Sequence, residues 1–324
     1  MYLWRGKGKF MGTKRKSKLK ADTYLKKFWN NNERFADLFN TFLFQGEQQI
    51  KPMQLKEMDT DLSSVISMDG YLETLAKTRD VIKKSDGQND YIVYAIESQM
   101  EVHYGMPLRT MLYDALTYFK EIAILQKNNK QEKGLTKAEF LSGLKKEERI
   151  HPVFTIILYY GEKEWNGPKN LKDMMIPMAP ELESVFANYQ MNLLQVVNSE
   201  QYCFQNEQVQ DTFEFSRKIF RGEFAEIEKS ERKVSQEVGI LVGLITGYHE
   251  LVDYSVERKD GFDMCKAVEN FKQLEHQKGR EDGIKVGIKE TIKKFYESGV
   301  SAEKIAEAMK MSETEVFQII QDRK

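Results

Sequence analysis

The chain has 324 residues, 41% of them apolar and 31% charged, which suits one large or two ordinary globular domains and excludes a composition too polar to bury a core. Lys and Arg number 49 against 50 Asp and Glu, a net charge of −1, and the only cysteines are Cys203 and Cys265, so there is neither a disulfide framework nor a CxxC metal pair. No run approaches the roughly 18 apolar residues of a membrane span, and no apolar stretch follows the basic start to make a secretory signal, so a reducing cytoplasm is the expected compartment.

The near-neutral total hides a lopsided distribution. Residues 1–20 carry eight basic side chains and no acid, which leaves 41 basic against 50 acidic residues in the body. A tail of this kind reads as a solvated, disordered terminus, or as a source of phosphate contacts for an otherwise acidic protein.

In chain order, residues 24–44 read as helix, with Phe28, Phe35, Leu38, Phe39, Phe42 and Leu43 at helical spacing and Asn31-Asn32 able to cap orphan amides. Residues 45–78 are mixed and carry no assignment. Residues 79–84 and 91–97 read as two strands joined by the turn-rich 85–90. With the hairpin centred on Gly87-Gln88, Lys84 pairs with Tyr91 and Asp80 faces Ala95. Asp80 then lies diagonal to Glu97, roughly 7–8 Å away, near enough for both to hold one divalent ion. Gln99, two residues beyond Glu97, shares its face.

A long helix follows, with Pro107 in its first turn. Leu108, Met111, Leu112, Ala115, Leu116, Phe119 and Ile122 form an apolar stripe expected to be buried, with Arg109, Tyr113, Thr117 and Lys120 opposite. The lysine-rich 126–149 reads as a long mobile connection, and 153–160 as a central strand covered on both faces. Hairpin, helix, buried strand is the order of an α/β core with a right-handed crossover.

Beyond residue 230 the chain becomes charged and helical. Gly239, Gly243 and Gly247, then Gly279, Gly283 and Gly287, recur every four residues, which suggests close contact with a partner helix, as in a homodimer. Residues 299–320 read as helix, turn, helix, with Ser301 and Ser312 as N-caps. The second helix offers Glu313, Glu315 and Gln318 rather than basic groups, which favours a packing hairpin over a DNA reader.

The pattern of Asp80, sixteen intervening residues, Glu97 and Gln99 is followed by His103-Tyr104-Gly105-Met106-Pro107-Leu108-Arg109. Together with 32–40, 111–116, Tyr159-Tyr160-Gly161, Trp165 and Gly167-Pro168, it resembles the Rpn recombination-promoting nucleases, also called YhgA-like transposases, over about residues 30–170. These belong to the PD-(D/E)XK nuclease superfamily. The resemblance implies a restriction-endonuclease-like mixed sheet flanked by helices at 21–230, and a helical C-terminal region at 231–324.

It also implies a Mg2+-dependent DNA endonuclease of low sequence specificity that promotes recombination. The alternatives are a non-catalytic DNA-binding or regulatory protein on the same fold, or a transposase-related protein. Asp80 and Glu97 would be the metal ligands, hard oxygens for a hard cation. Gln99 stands where the superfamily usually has Lys; an amide can position water but cannot stabilise hydroxide by charge. Glu33 is the candidate acid from the first helix, ahead of Asp37. Arg109 and Tyr113 are candidates for the DNA backbone. All this requires Asp80 and Glu97 to stand side by side, reach solvent, and not be spent on lysine or arginine. His103 reads as a local hydrogen-bonding residue, Trp165 and Tyr160 as core. Neither a GxxxxGK loop nor a Gly-x-Ser-x-Gly elbow is present, against a nucleotide triphosphatase or a serine hydrolase.

Overall fold

The computed structural model describes residues 21–61, 79–86, 91–230 and 232–321. The basic tail at 1–20 and the turn tip at 87–90 lie outside the described residues.

The expected first helix is two. α1 (Ala21–Trp29) and α2 (Asn32–Phe44) are separated by Asn31, whose side chain accepts from the amides of Glu33 and Arg34 and so caps α2. After β1 (Leu55–Glu57) come β2 (Val81–Asp86) and β3 (Tyr91–Gln99), then α3 (Met106–Asn129), α4 (Lys137–Ser142), β4 (Val153–Tyr159), α5 (Pro180–Glu183) and β5 (Asn192–Gln195). The strands form one mixed α/β sheet in the order β1-β2-β3-β4-β5, antiparallel across the first three and parallel from β3 to β5.

The hairpin register differs from the expected one by two residues. Lys84 pairs with Val93, and the ladder runs from Asp86 opposite Tyr91 to Val81 opposite Ile96. Asp80, the next residue out, therefore falls opposite Glu97 rather than diagonal to it. A slip of two keeps every side chain on its own face, so the apolar alternation is blind to it.

One face of the sheet meets α2. Tyr94 packs edge-on against Phe39 with ring centroids 4.9 Å apart, and the fully buried Lys83 lies 5.3 Å from the Phe35 ring. Lys83 donates to the Asn30 carbonyl and the Asn32 side chain, both at 2.5 Å, so a buried ammonium ties β2 to the junction of α1 and α2. The other face meets α3, by only part of the expected stripe: Leu116 is buried, with Leu112 packed against it. Leu108 and Phe119 are exposed, while Thr110, Tyr113, Asp114 and Thr117 are buried. The helix is turned so that polar side chains face the sheet, and one of them, Asp114, joins a buried network described below. The expected mobile connection is also ordered. α3 continues to Asn129, and α4 opens with a capping box in which Thr136 and Glu139 satisfy each other's amides. The buried Asn129 donates to Gly143 O and Glu148.

Helices α6 (Glu207–Phe220) and α7 (Phe224–Glu228), strand β6 (Lys233–Val234), and helices α8 (Gln236–Thr246) and α9 (His249–Val256) follow. The first compact unit extends to Phe262, later than the expected boundary at 230/231, because α8 packs on α6 and α1. The first glycine ladder is explained inside this unit. A Cβ at Gly239 would lie 2.4 Å from Phe262 and Ser255, one at Gly243 would lie 2.8 Å from Val252, and Gly247 takes φ +78° as the C-cap of α8.

The second unit holds residues 228–232 and 263–324. Its α10 (Met264–Glu297), α11 (Ala302–Met309) and α12 (Glu313–Gln321) enclose a small core of Ile292, Ala302, Ile305, Ala306 and Val316. Ser312 and Glu315 exchange capping bonds at the start of α12, whereas Ser301 caps α11 without a side-chain bond. A Cβ at Gly283 or Gly287 would meet nothing within 4 Å. No described helix is long and apolar enough to cross a membrane.

Candidate metal centre

The C-terminal end of β3 is where the chain concentrates unusual electrostatics. Glu97 is fully buried, and neither of its carboxylate oxygens has a hydrogen-bond partner. Arg109 Nη2 is 3.7 Å away, an ion contact too long for a hydrogen bond. Burial, then the neighbouring Asp80 charge, pushes the Glu97 carboxyl up to about 8 against the pull of Arg79 and Arg109. The shift favours the protonated form of this acid.

Asp80 retains 13% side-chain exposure. Its Oδ2 accepts from the Ser98 amide at 2.7 Å, and its Oδ1 lies 3.3 Å from Lys26 Nζ. Burial raises its pKa, and the Ser98 amide and Lys26 pull against that rise. The Ser98 bond crosses between the strands at the end of their ladder, which explains why Asp80 is held at Glu97 although the pairing stops at Val81.

Beside this pair lies a second, saturated carboxylate. Asp114 on α3 accepts from Arg79 Nη2 (2.5 Å) and Thr155 Oγ1 (2.6 Å) on one oxygen, and from the Tyr189 hydroxyl (2.5 Å) on the other. Arg79 Nη1 also donates to Thr155, at 2.8 Å. This network is what the polar inner face of α3 serves.

The other expected site residues divide. Gln99 is half-buried on the face of Glu97, and its backbone carbonyl accepts from Tyr160 N at 2.8 Å. Arg109 remains partly exposed, at 24%, and reaches Glu97. Tyr113 is corrected: only 1% exposed, it presents nothing to a DNA backbone. Its hydroxyl instead accepts from Arg109 Nε at 3.2 Å, and its ring lies beneath the guanidinium groups of Arg79 and Arg109. Glu33 lies exposed in the first turn of α2, and no described hydrogen bond or ion pair joins it to Asp80 or Glu97. Asp37 is buried and accepts from the amides of Gln205 and Asn206. His103 is exposed. Trp165 and Tyr160 are core, as expected, with Trp165 against Tyr159 and Trp29 donating to the Tyr160 hydroxyl at 2.7 Å.

What α1 brings to the pair is Lys26, with Asp22 one turn before it, 3.4 Å from the ammonium. An Asp and a Lys four apart on a helix read as an ordinary surface pair. Nothing local points across more than fifty residues to Asp80, so sequence reasoning missed Lys26.

The donor set fits a hard divalent cation in part. Two carboxylates meet, and the orphaned oxygens of Glu97 are the kind of group a cation would satisfy; Mg2+ commonly uses one or two carboxylates and keeps several waters. Among the described residues no group of three or more His, Cys, Asp and Glu could hold a metal. The requirement of solvent access is met by Asp80 and not by Glu97, and the requirement that neither acid be engaged by lysine or arginine is not met, with Lys26 3.3 Å from Asp80 and Arg109 3.7 Å from Glu97. A cleft of about 460 Å³ lined by Glu101, Tyr104, Tyr159, Glu162 and Glu164 includes neither of the two.

A family described as "Putative transposase, YhgA-like" matches residues 20–238. The chain belongs to this family. The match covers α1, the hairpin, α3, β4 and the whole carboxylate site, and it carries an expectation of action on DNA. No curated protein and no solved structure matches the chain.

Proposed function

We propose that this YhgA-like protein is a metal-dependent DNA endonuclease of low sequence specificity that promotes recombination, with Mg2+ held by Asp80 and Glu97. The observation that carries the reading is the buried Glu97 carboxyl, without a hydrogen-bond partner and close enough to Asp80 for the two charges to interact. Leaving a buried acceptor unsatisfied costs about 1–3 kcal/mol, a cost that a functional ligand would justify and a structural residue would not.

When bound, Mg2+ supplies Lewis acidity and a water activated near neutral pH. Glu97 must surrender its proton to ligate, since only the carboxylate binds. Asp80 is held in place by the Ser98 amide on one oxygen, and a metal would compete with Lys26 for the other. Gln99 can accept from and donate to the attacking water, and Arg109, partly exposed beside Glu97, can draw a phosphate toward the pair.

Purified protein incubated with supercoiled plasmid and Mg2+ should nick it, and EDTA should stop the reaction. Asp80→Ala and Glu97→Ala should each lower nicking at least about a thousand-fold, the order that follows from losing several kcal/mol of transition-state stabilisation. Unchanged cutting by either variant would remove the assignment.

A second reading is favoured by a specific observation: Glu97 has no exposed surface, and the pair is flanked by Lys26 and Arg109. A chain that keeps the fold but has lost turnover would bind DNA and leave it intact with Mg2+, Mn2+ and Ca2+ alike.

A further inference from the structure

Hydrolysis of a phosphodiester places growing negative charge on the phosphate oxygens, and the third polar group on the Glu97 face, Gln99, carries none to offset it. Among the described residues three side-chain cations border the pair, and their environments separate their roles. Arg79 is sealed at 0% side-chain exposure and committed to Asp114 and Thr155. Arg109 lies against Glu97 and is tied to the Tyr113 hydroxyl.

Lys26 is more open. It keeps 36% side-chain exposure, its ammonium sits 3.3 Å from the partly exposed Asp80, and it comes from a helix anchored at its far end by the Trp29 bond to Tyr160. An ammonium has three donors, so one that contacts both Asp80 and Asp22 still has one for a substrate oxygen.

We infer that Lys26 is a catalytic cation of the proposed hydrolytic site, donating to a non-bridging oxygen of the scissile phosphate and supplying from α1 the charge that Gln99 lacks on β3. The role rests on the nuclease reading. In the step it serves, the water oxygen bonds to phosphorus and the bond from phosphorus to the leaving deoxyribose oxygen breaks. A water proton passes to solvent, and the leaving oxygen takes a proton from solvent. Lys26 keeps its proton throughout, and nothing is oxidised or reduced.

The ammonium also competes with a divalent ion for Asp80. Its removal should therefore leave metal binding intact or tighter while slowing hydrolysis, a combination that a merely structural role would not produce. With Mn2+ as probe, titrated calorimetrically and used at saturation for plasmid nicking, Lys26→Ala should bind at least as tightly as the unmodified chain and nick about 100-fold more slowly, the range seen when one preorganised donor is lost. Lys26→Arg, which keeps the charge, should stay within about tenfold of the unmodified rate, and Lys26→Ala with Gln99→Lys should recover part of the loss.

If Lys26→Ala, folded by circular dichroism, nicks as fast as the unmodified chain, Lys26 has no such role and the nuclease reading stands. Loss of Mn2+ binding in Lys26→Ala would show that it only builds the site, which also overturns the proposal. If the unmodified chain neither binds Mn2+ nor nicks, both readings fall.

Discussion

Asp114 and Glu97 are buried carboxylates in the same electrostatic neighbourhood, and the fold treats them in opposite ways. Asp114 has both oxygens filled by Arg79, Thr155 and Tyr189. Glu97, more deeply buried, has neither filled. The same chain can evidently saturate a buried acid where the acid's task is to hold elements together. The contrast separates a carboxylate that joins α3 to the sheet from one left without a hydrogen-bond partner.

The contrast can be broken by mutation, and the largest effect on stability belongs to the saturated member. Asp114→Ala leaves Arg79 buried without its counter-ion, and should cost about 3–5 kcal/mol in urea unfolding, as removal of one partner of a buried ion pair does. A loss within about 1 kcal/mol would mean that the network is not what seats α3.

At Glu97 the expected change is smaller and of opposite sign. Its folded pKa, about 8, lies above the ordinary value of 4.5. Between these two values the unfolded chain gives up a proton that the metal-free folded chain retains, so stability falls as pH rises and levels off above about 8. Asp80, also raised, acts in the same direction. Glu97→Gln should therefore match the unmodified protein near pH 4.5 and exceed it at pH 8.5 by something on the order of 1–3 kcal/mol, with a flatter pH profile in EDTA. Parallel profiles for the two proteins would show that Glu97 ionises normally.

Much of this arrangement was legible in the sequence. The readings of 79–84, 91–97 and 153–160 found three strands, the first of them two residues early, and the spacing of Asp80, Glu97 and Gln99 put two carboxylates and an amide at one end of a hairpin. The exact register was not legible, because a slip of two residues leaves the faces unchanged. The orientation of α3 was not legible either. Periodicity takes apolar residues to be inside, but Asp114 is inside bonded to Thr155, Thr110 and Thr117 are inside with their hydroxyls returned to the helix's own Met106 and Tyr113 carbonyls, and Leu108 and Phe119 remain exposed. Lys26 meets Asp80 only through the tertiary fold. The spacing of Gly239 and Gly243 suggested a partner helix, and the groups found against them, Val252 and Ser255, belong to α9 of the same chain.

The most direct test of the central claim is calorimetric titration of Mn2+ into the metal-stripped protein at pH 7, in two buffers of different ionisation enthalpy, with Glu97→Ala alongside. One ion should bind the unmodified chain with release of a proton, the one that the buried Glu97 carboxyl gives up, and Glu97→Ala should neither bind it comparably nor release that proton. Equal binding by the two proteins, or binding by neither, would contradict the assignment of Asp80 and Glu97 as a metal centre.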